Sequence, residues 1–176
     1  MGLFSFLKND NREIEEAQKM ADLELIAPIS GKVISLEEVP DLVISEKLIG
    51  DGIAIIPEDS RIVAPCSGTI ARIVASANAF SIKTVNGLEI YVCYGVGTNS
   101  FSGGGFTAKV QVGDKVTTGD TIIDIDINQV SVYLKSTITS MLVVKSSGSI
   151  AKVVSKQGSV TAGETACTFV ILSDES

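Results

Sequence analysis

Asn78 and Cys93 are the polar side chains of this chain best placed to meet. They lie on either side of Asn86-Gly87, between the runs N-A-F-S-I-K-T-V and L-E-I-Y-V-C-Y-G, which are rich in β-branched and aromatic residues. Asn-Gly between such runs predicts a two-residue type I′ hairpin turn, because both central residues of that turn need positive φ. Phe80 then faces Cys93, and Asn78 faces Gly95. Alternation puts Asn78, Phe80, Ile82 and Thr84 on one face with Glu89, Tyr91 and Cys93, and leaves Leu88, Ile90, Val92 and Tyr94 for a core. Asn78 and Cys93 become diagonal neighbours, roughly 7–8 Å apart at the backbone.

The chemistry open to this pair is narrow. A thiolate is a competent nucleophile, but a free Cys titrates at about 8.5 and needs nearby positive charge to ionise. Lys83 is expected on the opposite face and Glu89 on the same face, so Cys93 reads as a small, half-buried residue. The Asn78 amide can only donate and accept hydrogen bonds. There is no histidine in the chain, which excludes imidazole as base, nucleophile or metal ligand, and with it Ser-His-Asp, Cys-His and His-zinc chemistry. The three cysteines (66, 93 and 167) are scattered and show no C-x-x-C spacing, so neither a disulfide framework nor a zinc knuckle is implied. No metal or cofactor is expected.

The elements that must hold the pair are strands. The chain has 176 residues, 16 of them Gly, with 5% aromatics and no Trp, which suits one all-β domain of many turns. Its net charge of −7 argues against nucleic acid, whose phosphates need a basic face. No apolar run approaches a membrane span, and the first residues lack a signal-peptide core, so a reducing cytoplasm is expected.

Residues 1–21 form an N-terminal segment and residues 22–176 the β domain. The first eight residues, M-G-L-F-S-F-L-K, either make weak peripheral contact with a membrane surface through Leu3, Phe4 and Leu7 or form a solvated tail; residues 9–21 read as a solvated helix or linker. Two internal echoes follow. Residues 26–34 (I-A-P-I-S-G-K-V-I) and 63–71 (V-A-P-C-S-G-T-I-A) share a proline-led turn, and V-T-T-G-D-T (116–121) is repeated as V-T-A-G-E-T (160–165). Such copies predict a duplicated β-sandwich or barrel-sandwich, too few and too unevenly spaced for a solenoid. Gly50-Asp51-Gly52 reads as a turn, residues 98–106 (T-N-S-F-S-G-G-G-F) as a flexible glycine-rich loop, and Asp124 and Asp126 as the solvated face of a strand.

The motifs I-A-P-I-S-G, V-P-D, E-K-L-I-G-D-G-I-A-I, V-A-P-C-S-G-T-I, N-A-F-S-I, G-L-E-I-Y-V-C-Y-G and S-V-T-A-G-E-T together resemble the glucose-type enzyme IIA of the phosphoenolpyruvate-dependent sugar phosphotransferase system, over roughly residues 22–172. The resemblance implies an antiparallel β-sandwich whose active-site hairpin lies in a shallow, apolar-rimmed depression. It also implies a pair of histidines at the positions of Asn78 and Cys93, one to carry a phosphoryl group and one to assist. By the same resemblance Val43 and Ile44 match an exposed apolar docking patch, Ser76 a hydroxyl residue beside the phosphoryl site and Arg72 a basic position near the rim. Phe80 on the hairpin and Gly97 at the rim are expected with Val43, Ile44, Arg72 and Ser76 at the partner-binding surface, and Gly97 and Asn99 depart from the family pattern there.

Two functions from different classes follow. One is a regulatory binding protein resembling the unphosphorylated form, with an HPr-like phosphocarrier, sugar transporters or metabolic enzymes as partners. The other is an active phosphocarrier in which Cys93 accepts the group, as the IIB domains of the same system use a phosphocysteine. The stretch V-G-D-K-V-T-T-G-D is also similar to biotinyl and lipoyl carrier domains, but the lysine those need at a hairpin tip has no counterpart here.

Overall fold

In a computed structural model, residues 3–96 and 104–174 are described, with side chains of the first helix described from residue 11 onward. Among the described residues, fourteen short strands make an antiparallel sandwich. A long sheet of eight strands runs, edge to edge, through β13 (Gly158–Val160), β2 (Gly31–Ile34), β3 (Gly50–Pro57), β11 (Ser136–Val144), β7 (Glu89–Val96), β6 (Ala79–Lys83), β5 (Gly68–Ile73) and β9 (Lys115–Val116). Two three-stranded sheets complete the fold: β1 (Leu23–Ile26), β14 (Ala166–Leu172) and β12 (Ile150–Ser155) in one, β4 (Arg61–Val63), β10 (Thr121–Ile125) and β8 (Phe106–Ala108) in the other, each with its middle strand from late in the chain. The sheets form a sandwich with free edges rather than a closed barrel. One continuous core fills it, drawing Ile53, Ile55, Phe80, Ile82, Ile90, Val92 and Met141 from the long sheet and Leu25, Ile62, Ile123 and Val170 from the short ones.

The two sequence echoes fold as equivalent corners. The N–H of Ile26 donates to Pro65 O (2.9 Å) and that of Val63 to Pro28 O (2.8 Å), so the two A-P-x-S-G turns bond to each other across a pseudo-symmetric pair. Each also seats one V-T-x-G-x-T turn: Ala162 N–H donates to Ser30 Oγ at 2.9 Å and Thr118 N–H to Ser67 Oγ at 3.2 Å. Gly163 N–H donates to Ala27 O and Gly119 N–H to Ala64 O in the matching positions. The repeated Ser therefore satisfies a backbone donor that a corner packed against another corner would otherwise strand.

The central hairpin exists, but its turn is not the two-residue type. Gly87 N–H donates to Thr84 O (3.0 Å), Thr84 N–H donates to Leu88 O (2.8 Å), and only Gly87 of the loop has positive φ, at 84°. This is a three-residue loop, residues 85–87, in which a type I turn ends on a left-handed glycine. The extra residue moves the register by one: Phe80 pairs with Val92, Ile82 with Ile90, Ser81 with Tyr91 and Ala79 with Cys93. One step of register exchanges the faces of a whole strand. Phe80 and Ile82 therefore join Leu88, Ile90, Val92 and Tyr94 in the core, and Phe80, expected at a partner surface, is 0% exposed.

Three further expectations change. Gly50-Asp51-Gly52 is not a turn but the start of β3 against β11, where a Cβ on Gly50 or Gly52 would come within 2.0 Å of the carbonyl oxygen of Val143 or Met141. Asp124 lies on β10 and pairs with Lys109 at 3.3 Å, whereas Asp126 leaves the strand and caps α3 (Ile127–Val130) by accepting from Gln129 N–H. The first helix, α1 (Leu3–Met20), is more than a solvated linker. Its Ile14 and Ala17, with Ala21 just beyond, pack on Val154 and Phe169, and Glu13 pairs with Lys152 at 2.7 Å. Among the described residues no helix is long and apolar enough to cross a membrane.

Candidate functional site

Beyond the core, alternation leaves the other face of the long sheet to Tyr91, Cys93, Ala54 and Leu142. The segment between β2 and β3 folds over part of it. Ser35 starts a 3-10 turn at Leu36–Glu38 through a reciprocal cap, its Oγ accepting from Glu37 N–H and its N–H donating to Glu38 Oε2. Asp41 then caps α2 (Leu42–Ser45), accepting from Val43 N–H at 2.9 Å and Ile44 N–H at 3.4 Å. Leu36, Val39 and Ile44 bury themselves on Ala54, Val96 and Leu142, which fixes α2 beside the hairpin. Between them lies a depression of about 420 Å³, lined by Asp41, Val43, Ile44, Ile49, Val74, Ala75, Ser76, Asn78, Ala79, Tyr91, Cys93, Gly95 and Val96.

Asn78 reaches this depression despite the register. It precedes β6 and follows Ala77, whose φ of 61° is left-handed, in a turn closed by Ala77 N–H donating to Val74 O at 2.9 Å. Strand alternation therefore does not set its side chain. Nδ2 donates to Tyr94 O at 3.2 Å and lies 3.8 Å from Cys93 Sγ, while Oδ1 accepts from Ser76 Oγ. Both ends of the amide are thereby committed. Cys93 Sγ lies 3.8 Å from Gly95 O.

Burial holds the Cys93 thiol in its neutral form. Burial pushes the Cys93 thiol up to about 11; a hydrogen bond with Tyr91 draws it back and the Asp41 carboxylate adds to the rise. Burial also raises the Tyr91 hydroxyl, with Cys93 and Asp41 acting in the same sense and Arg72 opposing them. At pH 7 a thiol titrating near 11 is ionised in only about one molecule in ten thousand. Among the described residues no three Cys, Asp or Glu side chains gather as a metal site.

Alkaline pH should expose this arrangement. Burial raises Cys66 to about 12 and Cys167 to about 11 as well. An acid whose folded pKa lies above its unfolded one contributes stability that is intact below the unfolded value and lost as pH rises through the folded one. Urea midpoints should accordingly fall from about pH 9 upward, and native Cys93 should resist alkylation until the pH approaches 11. Fast labelling at pH 8 in the folded protein would contradict a neutral, shielded thiol.

Of the residues expected at the site, Asn78, Cys93, Ser76, Val43 and Ile44 come together. Val43 is 43% exposed and its neighbour Leu42 72%, but Ile44 is buried and only borders the depression from below. Arg72 is exposed on β5, in register with Ser81 and so with Tyr91, outside the lining. Gly97, Asn99 and most of the glycine-rich loop lie outside the described residues, as do residues 1 and 2. Asp41 and Ile49 were not singled out from the sequence, with V-P-D the one signal for Asp41, whereas alternation already put Tyr91 on the face of Cys93. A larger groove of about 710 Å³ between α1 and β12 is lined by Asn11, Glu13, Gln18, Lys156 and their neighbours, and holds none of the residues expected at the site.

Residues 23–149 match the family described as phosphoenolpyruvate-dependent sugar phosphotransferase system, EIIA 1. The chain is 39% identical over 166 residues to the PTS system glucose-specific EIIA component of Haemophilus influenzae, covering 93% of this chain and 95% of that protein. It is 38% identical over 141 residues to the PTS system N-acetylglucosamine-specific EIICBA component of Klebsiella pneumoniae, where the match takes in 80% of this chain and 22% of that protein. Among solved structures it is similar to glucose permease IIA from Mycoplasma capricolum, with a TM-score of 0.75 and 31% identity over 83% of this chain and 94% of that one.

Proposed function

Because this chain belongs to the EIIA 1 family of the phosphoenolpyruvate-dependent sugar phosphotransferase system, we propose that it is a regulatory binding protein that stands in for an unphosphorylated EIIA. The observation that carries this reading is the neutral pair at the floor of the depression, Asn78 hydrogen-bonded beside Cys93. By the resemblance these are the positions of the family's histidines. An imidazole nitrogen is nucleophilic at neutral pH and its phosphoramidate passes the group on. An amide nitrogen is not nucleophilic, since its lone pair is delocalised into the carbonyl, and here the amide is already engaged at both ends.

Docking does not need that chemistry. Leu42, Val43, Leu48 and Ile49 present exposed apolar side chains around the depression, a surface of the kind that partner proteins cover. The partners of this reading are an HPr-like phosphocarrier and the EIIB and EIIC components of a sugar transporter. The Klebsiella relative, which by its name unites the A, B and C components, supports that choice. Asn78 offers such a partner an uncharged hydrogen-bonding group in place of a neutral imidazole, so binding would no longer follow sugar flux. A cytoplasmic setting fits both partners.

Incubation with phosphoenolpyruvate, enzyme I and HPr, read by intact mass at neutral pH, tests the reading. No phosphoryl adduct is expected in the parent or in Cys93→Ser. An adduct that disappears in Cys93→Ser would make Cys93 the acceptor and overturn the proposal. An adduct confined to Cys93→His would show that the HPr docking face works and that only the acceptor is missing.

A further inference from the structure

We propose that Asn86 is a site of spontaneous deamidation, with the backbone nitrogen of Gly87 as nucleophile and water as co-reactant. Of the asparagines in the chain, only Asn86 is followed by glycine, so only there does no side chain shield the attacking nitrogen. Asn86 is exposed, its neighbour Val85 is 99% exposed, and a Cβ placed on Gly87 would meet no atom within 4 Å. Hydroxide and water therefore reach the loop tip from open solvent. The other asparagines with described side chains are worse placed. Asn78 is buried with its amide bonded at both ends, Asn11 lies within the helix α1, and Asn128 lies in α3, where the following nitrogen is held by Asp126.

In the reaction the Gly87 nitrogen gives its proton to hydroxide and attacks Asn86 Cγ. The bond to the side-chain nitrogen breaks, and ammonia leaves. Water then opens the resulting five-membered imide at either carbonyl, giving aspartate or isoaspartate. Nothing is oxidised or reduced; one amide becomes one carboxylate, and the net charge of −7 becomes one unit more negative. Two bonds at the base of the loop, Thr84 N–H to Leu88 O at 2.8 Å and Leu88 N–H to Thr84 Oγ1 at 3.1 Å, confine the opening to residues 85–87. The Gly87 N–H must first leave Thr84 O, which slows the folded loop without closing the route. The isoaspartyl form lengthens the loop by one backbone atom, and Phe80, Ile82, Ile90 and Val92 in the core hold the register of the strands below it.

The test ages the full chain in neutral and mildly alkaline buffer, then applies anion exchange, peptide mapping and labelling by an isoaspartyl methyltransferase. One new acidic species is expected, forming faster at the higher pH, with the change at residue 86 and a labelled isoaspartyl fraction. It should be absent from Asn86→Gln, and its aspartyl fraction should comigrate with Asn86→Asp. Far-UV circular dichroism should match among the three proteins. An acidic species that persists in Asn86→Gln, conversion at another asparagine ahead of Asn86, or no acidic species at all would overturn the proposal.

Discussion

Val43→Asp should lower affinity for HPr or for an isolated transporter EIIB component on the order of a hundredfold, measured by titration calorimetry. Val43 is the exposed residue of α2 that both lines the depression and projects from it. If a partner covers it, the variant loses the apolar contact and buries a carboxylate with no counter-charge, together about 3 kcal/mol, and each 1.4 kcal/mol is tenfold. The fold should not suffer. Position 43 is in the first turn of a helix capped by Asp41, where negative charge is tolerated, so the melting temperature should stay close to the parent's. Binding unchanged from the parent would remove the apolar rim from the docking surface and, with it, the reading of this chain as a binding protein that uses that face.

Phe80→Ala should do the opposite, costing about 3–5 kcal/mol of stability, read as a large fall in the urea midpoint. Domains of this kind have only about 5–15 kcal/mol to lose. Phe80 is fully buried on the central strand β6, opposite Val92, and its removal leaves a cavity where several strands converge. At a temperature low enough to keep the variant folded, its affinity for HPr should be close to the parent's, because the ring does not reach the depression. Normal stability with impaired binding would instead return Phe80 to the partner surface, where the two-residue turn had placed it.

These two residues show what the sequence could and could not reveal. The hairpin was legible because Asn86-Gly87 interrupts two β-rich runs, and Leu88, Ile90, Val92 and Tyr94 are in the core as their alternation required. What was not legible was whether Asn86 itself takes positive φ. It does not, and that one torsion decides the faces of Phe80 and Ile82. The glycines at 50 and 52 misled for a related reason: the same residue that permits a turn also permits a close backbone approach, and here β11 is the neighbour that demands it. Asn78 beside Cys93 survived the register error because Ala77 takes a left-handed conformation and frees Asn78 from strand alternation. Asp41 and Ile49 came to the site through packing between segments far apart in sequence, which no local pattern encodes.

The paired corners also constrain how this chain can come into being. Ala27 and Ser30, near the start, find their partners in Thr165 and Ala162, near the end, and β1 has β14 as its neighbour. A chain emerging from the ribosome must therefore hold β1 and the first corner unfinished until β14 has been made. Contacts of such long sequence separation are slow to close, and exposed strand edges are the places where waiting chains associate. The duplication that makes the finished sandwich symmetrical thus makes closure of its first corner wait for the second V-T-x-G-x-T turn and β14.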